Sequence, residues 1–490
     1  LVTPALLGQF VTVADAMDAA REQFRDREAY VEGDRRVTFG AWLDDSERVA
    51  AQLADLGVRA GDVVAIMLPT SIDYATTYAA VARLGAIATG LNPRLGSREV
   101  AATFERAAPK LAVLDDGPLP AGLPANTTVL RRHGIGAARA SGAEPVARHP
   151  GSASDPVVII WTSGTTGLPK GAWFDHDNLR AAVDSAGVMA APFDRRLVTT
   201  PFAHAGYMAK LWEQLAWATT LVICPTPWSA ADMVRLIGAE RITVAGGAPT
   251  QWAKVLEQPD LAATDVSRLR LCVTATAPAP PELVERVTRE LGCPVVVRYA
   301  MTESPSITGT EPGDDPEVLF RTVGHPQAGV ELEIRDDHGS RVAPGEVGRV
   351  HVSGACVMRG YWRAPELTAE AIVEGGWLRS TDLGRIDPGG NLVLVGRAGD
   401  MYIRGGYNVY PLEVENVLAE HPAVGQASVI GVPAPVIGEI GVAFVVLDPG
   451  GTLEVLDDEL RAWCRDRLAD YKAPDRFVRL ESLPLTSMMK

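Results

Sequence analysis

Over the first two-thirds of the chain, short unbroken apolar runs alternate with longer stretches whose apolar residues recur at helical spacing. Val63-Val64-Ala65-Ile66-Met67-Leu68 precedes a helical pattern near 71–84, and Ala86-Ile87-Ala88-Thr89-Gly90-Leu91 follows it. Further apolar runs occupy 157–161, 195–200, 220–224, 241–245, 270–275 and 294–299. Strands apolar on both faces belong to parallel sheets covered by helices. The pattern therefore predicts an α/β fold whose large N-terminal domain is built of stacked, mostly parallel sheets. Residues 115–155, rich in Pro, Gly, Ala and Ser, read as a variable connection. Beyond about residue 320, shorter strands with Gly-rich turns (329–354 and 383–396) predict an antiparallel, barrel-like subdomain. The last stretch predicts a small α+β domain. Its helix over 411–420 opens on Pro411, strands follow near 427–432 and 440–447, then an amphipathic helix over 455–470 and a strand at 477–480. The expected division is 1–399 and 400–490.

The run 157–161 empties into Thr162-Ser163-Gly164-Thr165-Thr166-Gly167-Leu168-Pro169-Lys170-Gly171. Glycines let backbone amides approach a polyanion, hydroxyls add donors and lysine adds a point charge, so a nucleotide triphosphate is the expected ligand. The spacing departs from the Walker A loop, where Lys directly follows the last Gly of the motif and precedes Ser or Thr. Here Lys170 stands three residues beyond Gly167 and precedes Gly171.

Composition narrows the classes. At 490 residues the chain exceeds what one core organises, and 47% hydrophobic with 22% charged residues is ordinary for a globular protein. A net charge of −15, with no basic stripe, gives no support to nucleic-acid or membrane-surface binding. Cys224, Cys272, Cys293, Cys356 and Cys464 show no C-x-x-C spacing, which suggests reduced thiols, a cytoplasmic location and no metal cage. No apolar stretch is long enough to span a bilayer, and residues 1–20 lack a signal-peptide pattern. The chain opens on Leu1 rather than Met, so both ends are read as trimmed. Abundant Ala, Arg, Gly and Pro suggest a GC-rich bacterial gene.

Several further strings follow in order. They are Pro201-Phe202-Ala203-His204-Ala205-Gly206, Gly246-Gly247-Ala248-Pro249-Thr250, Thr274-Ala275-Thr276-Ala277-Pro278 and Tyr299-Ala300-Met301-Thr302-Glu303. Nearer the end come Trp377-Leu378-Arg379-Ser380-Thr381-Asp382-Leu383-Gly384, Gly396-Arg397-Ala398-Gly399-Asp400, Met401-Tyr402-Ile403-Arg404-Gly405-Gly406-Tyr407-Asn408-Val409-Tyr410-Pro411 and Leu483-Pro484-Leu485-Thr486-Ser487-Met488-Met489-Lys490. From about residue 30 onward the chain resembles the acyl-adenylate-forming superfamily of acyl-CoA synthetases, aryl-CoA ligases, adenylation domains and luciferases. Its strings look most like those of acyl- and aryl-CoA ligases.

That resemblance implies ATP, Mg2+ and coenzyme A as the small molecules used, with a carboxylic acid as the substrate. It implies that Thr162, Ser163, Gly164, Thr165, Thr166, Gly167 and Lys170 grip the ATP phosphates and that Tyr299 stacks on adenine. Thr302 would meet the α-phosphate, Glu303 would serve Mg2+, and Asp382 with Arg397 would hold the ribose. His204, Gly246, Gly247, Thr274, Ala275 and Thr276 would line the acid pocket, and Lys490 would stabilise charge during adenylation. Lys210 reads first as a solvated helix lysine and second as a contact for another anionic group on the substrate. No acidic residue lies between Pro201 and Trp212, which argues against an α-amino acid substrate.

The resemblance also implies that the small domain rotates between two half-reactions, with Gly399 as the hinge where relatives carry Asp or Lys. The Gly405-Gly406 pair resembles the CoA-tunnel loop. Thr381 and Ala275 stand where relatives commonly have Gly. The expected reaction is adenylation of an acid with release of pyrophosphate, then thioester formation with CoA and release of AMP. Other acceptors are a carrier-protein thiol or an amine, and a diazotase-like relative would activate nitrite. An inactive nucleotide-binding protein is the remote reading, against which Lys170, Glu303, Asp382 and Lys490 all speak. A homodimer is one expected assembly.

Overall fold

The computed structural model describes residues 9–141, 146–162, 169–275, 281–447 and 457–484. The apolar runs become two stacked sheets. The first has seven strands in the order Gly360–Tyr361, Lys170–Asp175, Pro156–Thr162, Ile87–Gly90, Val63–Met67, Leu111–Leu114 and Val129–Arg131. The second has nine, in the order His325–Pro326, Ser304–Gly309, Val295–Met301, Leu271–Ala275, Val244–Gly247, Arg195–Val198, Thr220–Ile223, Glu28–Glu32 and Arg35–Thr38. Neighbours inside both sheets are parallel; antiparallel strands close both edges of the nine-stranded sheet and one edge of the seven-stranded sheet, whose other edge, Val129–Arg131, is parallel.

The central strands are buried on both faces because helices cover each side. Ile72–Arg83 is buried along its whole length, capped where the Ser71 hydroxyl accepts from the Tyr74 amide. It shares one hydrophobic cluster with Phe39–Asp55 and with side chains of both sheets, among them Val64, Ile66, Val158, Ile160, Tyr30 and Leu221. The outer face of the nine-stranded sheet has its own core, built on helices Ala230–Ala239, Pro249–Leu256 and Pro281–Leu291.

Three expectations change. The stretch 115–155 is more than a connection, since it contains the strand Val129–Arg131 and the helix Arg132–Ala140. Its strand extends the first sheet beside Leu111–Leu114, where edge position tolerates a weak apolar pattern. The ten-residue segment 162–171 is not all loop, because Thr162 and Lys170 pair across an antiparallel hairpin. The run 241–245 begins its strand later, at Val244.

The strands Val330–Arg335, Gly348–Gly354, Ile372–Val373, Trp377–Ile386 and Leu392–Arg397 form an antiparallel sheet. Its centre is Trp377–Ile386, with Gly348–Gly354 along one edge and two short partners in succession along the other. A small C-terminal domain follows, whose sheet orders Tyr407–Val409, Tyr402–Arg404, Gly438–Leu447 and Val424–Ala434, with Arg476–Arg479 added parallel to Gly438–Leu447. Helix Pro411–Ala419 starts on its proline as the sequence predicts. Tyr402, Val409, Val414, Leu418, Val445 and Leu460 form part of a separate core.

Candidate active site

The C-terminal ends of parallel strands are where an α/β sheet offers a crevice. Val295–Met301 carries the candidate Tyr299 there. Tyr299 is buried and its hydroxyl donates to Asp382 Oδ2 at 2.5 Å. Arg397 Nε donates to Asp382 Oδ1 at 3.1 Å, so both carboxylate oxygens are engaged. The Asp382 amide donates to Ser380 Oγ at 3.1 Å. Asp382 and Arg397 are cross-strand partners, which is why residues 15 positions apart meet. Burial, and then the Asp382 charge, push the Tyr299 phenol well above its ordinary pKa, so it stays a donor. Thr381 lies in extended backbone within the strand, so this position makes no demand for glycine.

The second cluster joins two hairpins. Thr302 and Glu303 form the two-residue corner between Val295–Met301 and Ser304–Gly309, since Met301 and Ser304 pair directly. The Met358 amide donates to the Glu303 carbonyl at 2.8 Å, fixing that corner. Tyr361 Oη donates to Glu303 Oε1 at 2.7 Å, and the Lys170 ammonium lies 5.5 Å from the centroid of the same tyrosine ring. Tyr361 thus stands between the lysine and the carboxylate. Sequence reasoning missed it; its one local signal is Gly360-Tyr361-Trp362, an aromatic pair after a glycine at φ +151°. Ser163, Gly164, Thr165, Thr166 and Gly167 lie outside the described residues. Among the described residues no group of three His, Cys, Asp or Glu could hold a metal. A single carboxylate completed by phosphate oxygens is the donor set that suits Mg2+.

On the inner face of the nine-stranded sheet, register aligns Gly246 with Val273 and Ala275 with Arg298. Thr274, one residue from Val273, is buried with its hydroxyl unpartnered, and Gly247 abuts the Trp252 indole. Thr276 lies outside the described residues. His204 precedes the short helix Ala205–Met208, with Nε2 3.4 Å from Asn92 Nδ2. Gly90 makes this approach feasible: a Cβ there would collide with Met208 Sδ, the Tyr74 hydroxyl and Ala203 Cα.

Lys210 is not solvated. It is four-fifths buried and its Nζ lies 3.0 Å from Oε2 of the fully enclosed Glu213, which also accepts from Arg196 at 2.9 Å. Burial pushes the Glu213 carboxyl up, but Lys210 and Arg196 outweigh it and hold it below the ordinary range. Arg298, also missed from sequence, is 11% exposed at its side chain.

In the C-terminal domain, Gly405 and Gly406 form the two-residue turn between Tyr402–Arg404 and Tyr407–Val409, at φ +60° and +89°. Added Cβ atoms would meet nothing within 4 Å, so positive φ rather than crowding calls for glycine. Gly399 lies in a turn closed by Asp400 N donating to Arg397 O at 3.1 Å, also in open space. Lys490 lies outside the described residues. No helix among the described residues is long and apolar enough to cross a membrane.

Residues 17–362 match the AMP-binding enzyme family, and residues 413–490 match the C-terminal domain of AMP-binding enzymes. A 3-[(3aS,4S,7aS)-7a-methyl-1,5-dioxo-octahydro-1H-inden-4-yl]propanoyl:CoA ligase from Mycobacterium tuberculosis is 36% identical, covering 98% of this chain and 97% of that protein. A solved anthranilate CoA ligase in complex with anthranoyl-AMP is 26% identical, with a TM-score of 0.90 over 98% of this chain and 95% of that one. The o-succinylbenzoate CoA synthetase of Bacillus subtilis, solved with ATP and magnesium ion, is 30% identical, with a TM-score of 0.85 over 97% of each chain. The chain belongs to the AMP-binding enzyme family.

Proposed function

We propose that this AMP-binding enzyme is an ATP-dependent carboxylic acid:CoA ligase. First, a carboxylate oxygen bonds to the α-phosphorus of ATP while the bond from that phosphorus to the pyrophosphate oxygen breaks. Acyl-adenylate and pyrophosphate result. Second, the CoA sulfur bonds to the acyl carbon, the carbon–oxygen bond to AMP breaks and the thiol proton passes to solvent. Thioester and AMP result. The observation that carries this reading is the pairing of Asp382 with Tyr299 and Arg397, with Tyr299 and Glu303 at the end of the same strand and Glu303 bonded to Tyr361 beside Lys170.

In this reading Asp382 accepts the ribose hydroxyls, Arg397 and Tyr299 hold its carboxylate in place, and the Tyr299 ring borders adenine. Lys170 and residues 162–167 take the β- and γ-phosphates, while Thr302 meets the α-phosphate. Glu303 would hold Mg2+ together with phosphate oxygens, and the ion would supply neutralisation of phosphate charge. His204, Gly246, Gly247, Thr274, Ala275 and Thr276 border the acid. The proposed division at 399/400 falls between the last large-domain apolar residue, Leu394, and the first of the C-terminal core, Tyr402. Gly399 is the proposed hinge. One orientation of the small domain would bring Lys490 to the carboxylate oxygens, the other the Gly405-Gly406 turn to the pantetheine. Five buried free cysteines accord with a cytoplasmic setting.

The test is acid-dependent pyrophosphate release over a panel of acids, with and without CoA, with mass analysis of products. Acid-dependent pyrophosphate, and thioester only when CoA is present, are expected. No acid-dependent pyrophosphate removes the ligase reading, and adenylate without thioester removes CoA as acceptor. In the same assay Lys490→Ala is expected to lower adenylation about 1,000-fold, while thioester formation from supplied adenylate changes less than about 3-fold.

A further inference from the structure

Arg298 reverses the usual habit of long cationic side chains, which bury the stem and keep the charge in water. None of its three guanidinium nitrogens reaches solvent or has a hydrogen-bond partner among the described residues, so the 11% exposure of the side chain falls on carbon. The nearest carboxylate is Glu311 Oε1 at 3.9 Å, on a side chain 43% exposed. Nearby structural arginines differ. Arg270 donates twice to Asp194 and once to the Val188 carbonyl, and Arg196 donates to Glu213 and to the Met189 carbonyl. A buried guanidinium without hydrogen-bond partners is costly, and its presence calls for an anion that arrives later.

The surroundings accommodate the head. Gly309 faces Arg298 across the antiparallel pair, and a Cβ there would collide with Nη1. A Cβ on Gly187, at φ +50°, would stand 3.9 Å from Nη2 and 3.2 Å from Gln327 Oε1. The charge balance also favours an anion. Arg196, Lys210 and Arg298 gather around buried Glu213, which Arg196 and Lys210 already engage. Arg298 stands on the same face as Gly246 and Ala275, while neighbouring Tyr299 turns to Asp382. Thr302 lies four residues further along the same chain, in the corner that ends this strand.

We propose that the acid activated here carries a second carboxylate, which Arg298 takes up through its paired N–H groups. The inference rests on the ligase reading. The carboxylate that reacts is the one presented to the α-phosphate that Thr302 meets, and the other remains ionised and unreacted in the thioester.

The experiment compares malonic, succinic, glutaric and adipic acids with monoacids of equal length, in wild type, Arg298→Met and Arg298→Lys. Pyrophosphate release gives kcat/KM, and calorimetric titration of the same acids gives binding without turnover. Wild type is expected to prefer one diacid over its matched monoacid by at least about 10-fold. Arg298→Met should lose about 100-fold on that diacid and stay within about 3-fold on the monoacid, with Arg298→Lys in between. Monoacid preference in wild type, or equal loss on both classes, overturns the inference while leaving the ligase reading intact. Turnover of no acid overturns the ligase reading. Diacid heat lost in Arg298→Met would then still support the second-carboxylate site, and no diacid heat would overturn it.

Discussion

Arg298 and Tyr299 are neighbours on one strand and opposite in condition. Tyr299 is buried with its hydroxyl bonded to a carboxylate that Arg397 also holds. Arg298 is buried, and none of its nitrogens has a hydrogen-bond partner among the described residues. In the proposed reading the ribose contact is therefore already held in place, whereas the acid side carries an open electrostatic demand. The two solved relatives described above hold an acyl-AMP or ATP, so a preformed cradle suits a constant ligand. Acids differ, and a polar group left unpaired discriminates strongly, because only the right partner relieves its desolvation.

The comparison is tested most severely on the nucleotide side. Asp382→Asn keeps the shape and removes the charge, and kcat/KM for ATP is expected to fall about 100-fold, with the relative preference among acids unchanged. A change in acid preference would mean that the two sides are not separable. Tyr361→Phe removes the hydroxyl that donates to Glu303 at 2.7 Å. Adenylation should fall about 10-fold with CoA capture of supplied adenylate intact, read by single-turnover kinetics. The smallest expected effect concerns stability. By urea unfolding, Tyr299→Phe should lose about 1 kcal/mol, whereas Arg298→Met should be neutral or gain about 1 kcal/mol. Loss in both would place Arg298 among the structural arginines.

Much of the fold is legible in the chain. Runs such as 63–68, 270–275 and 294–299 become central strands because they are buried on both faces, and such burial leaves an unbroken apolar pattern. The edge strand Val129–Arg131 is hidden among Pro and Gly because an edge needs only one buried side. At the site, Asp382, Arg397, Glu303 and Lys170 stand in recognisable strings, and the structure brings Asp382 to Arg397 and Lys170 to the tyrosine that holds Glu303. Tyr361 and Arg298 do not stand out, because each acquires meaning from a partner, or the lack of one, on another strand. Lys210 looked solvated because its window ended one residue before Glu213.

Local sequence alone determined the alternation of strands and helices, the helix opening on Pro411, the Gly405-Gly406 turn and which residue types could meet phosphate. These depend on burial period and backbone freedom, properties a short window contains. Tertiary structure alone decided that Tyr361 stands between Lys170 and Glu303, that Lys210 faces inward to Glu213, and that Arg298 rather than Tyr299 lacks a partner. Pairing and desolvation are relations between distant residues, and no window of sequence carries them until the sheets stack.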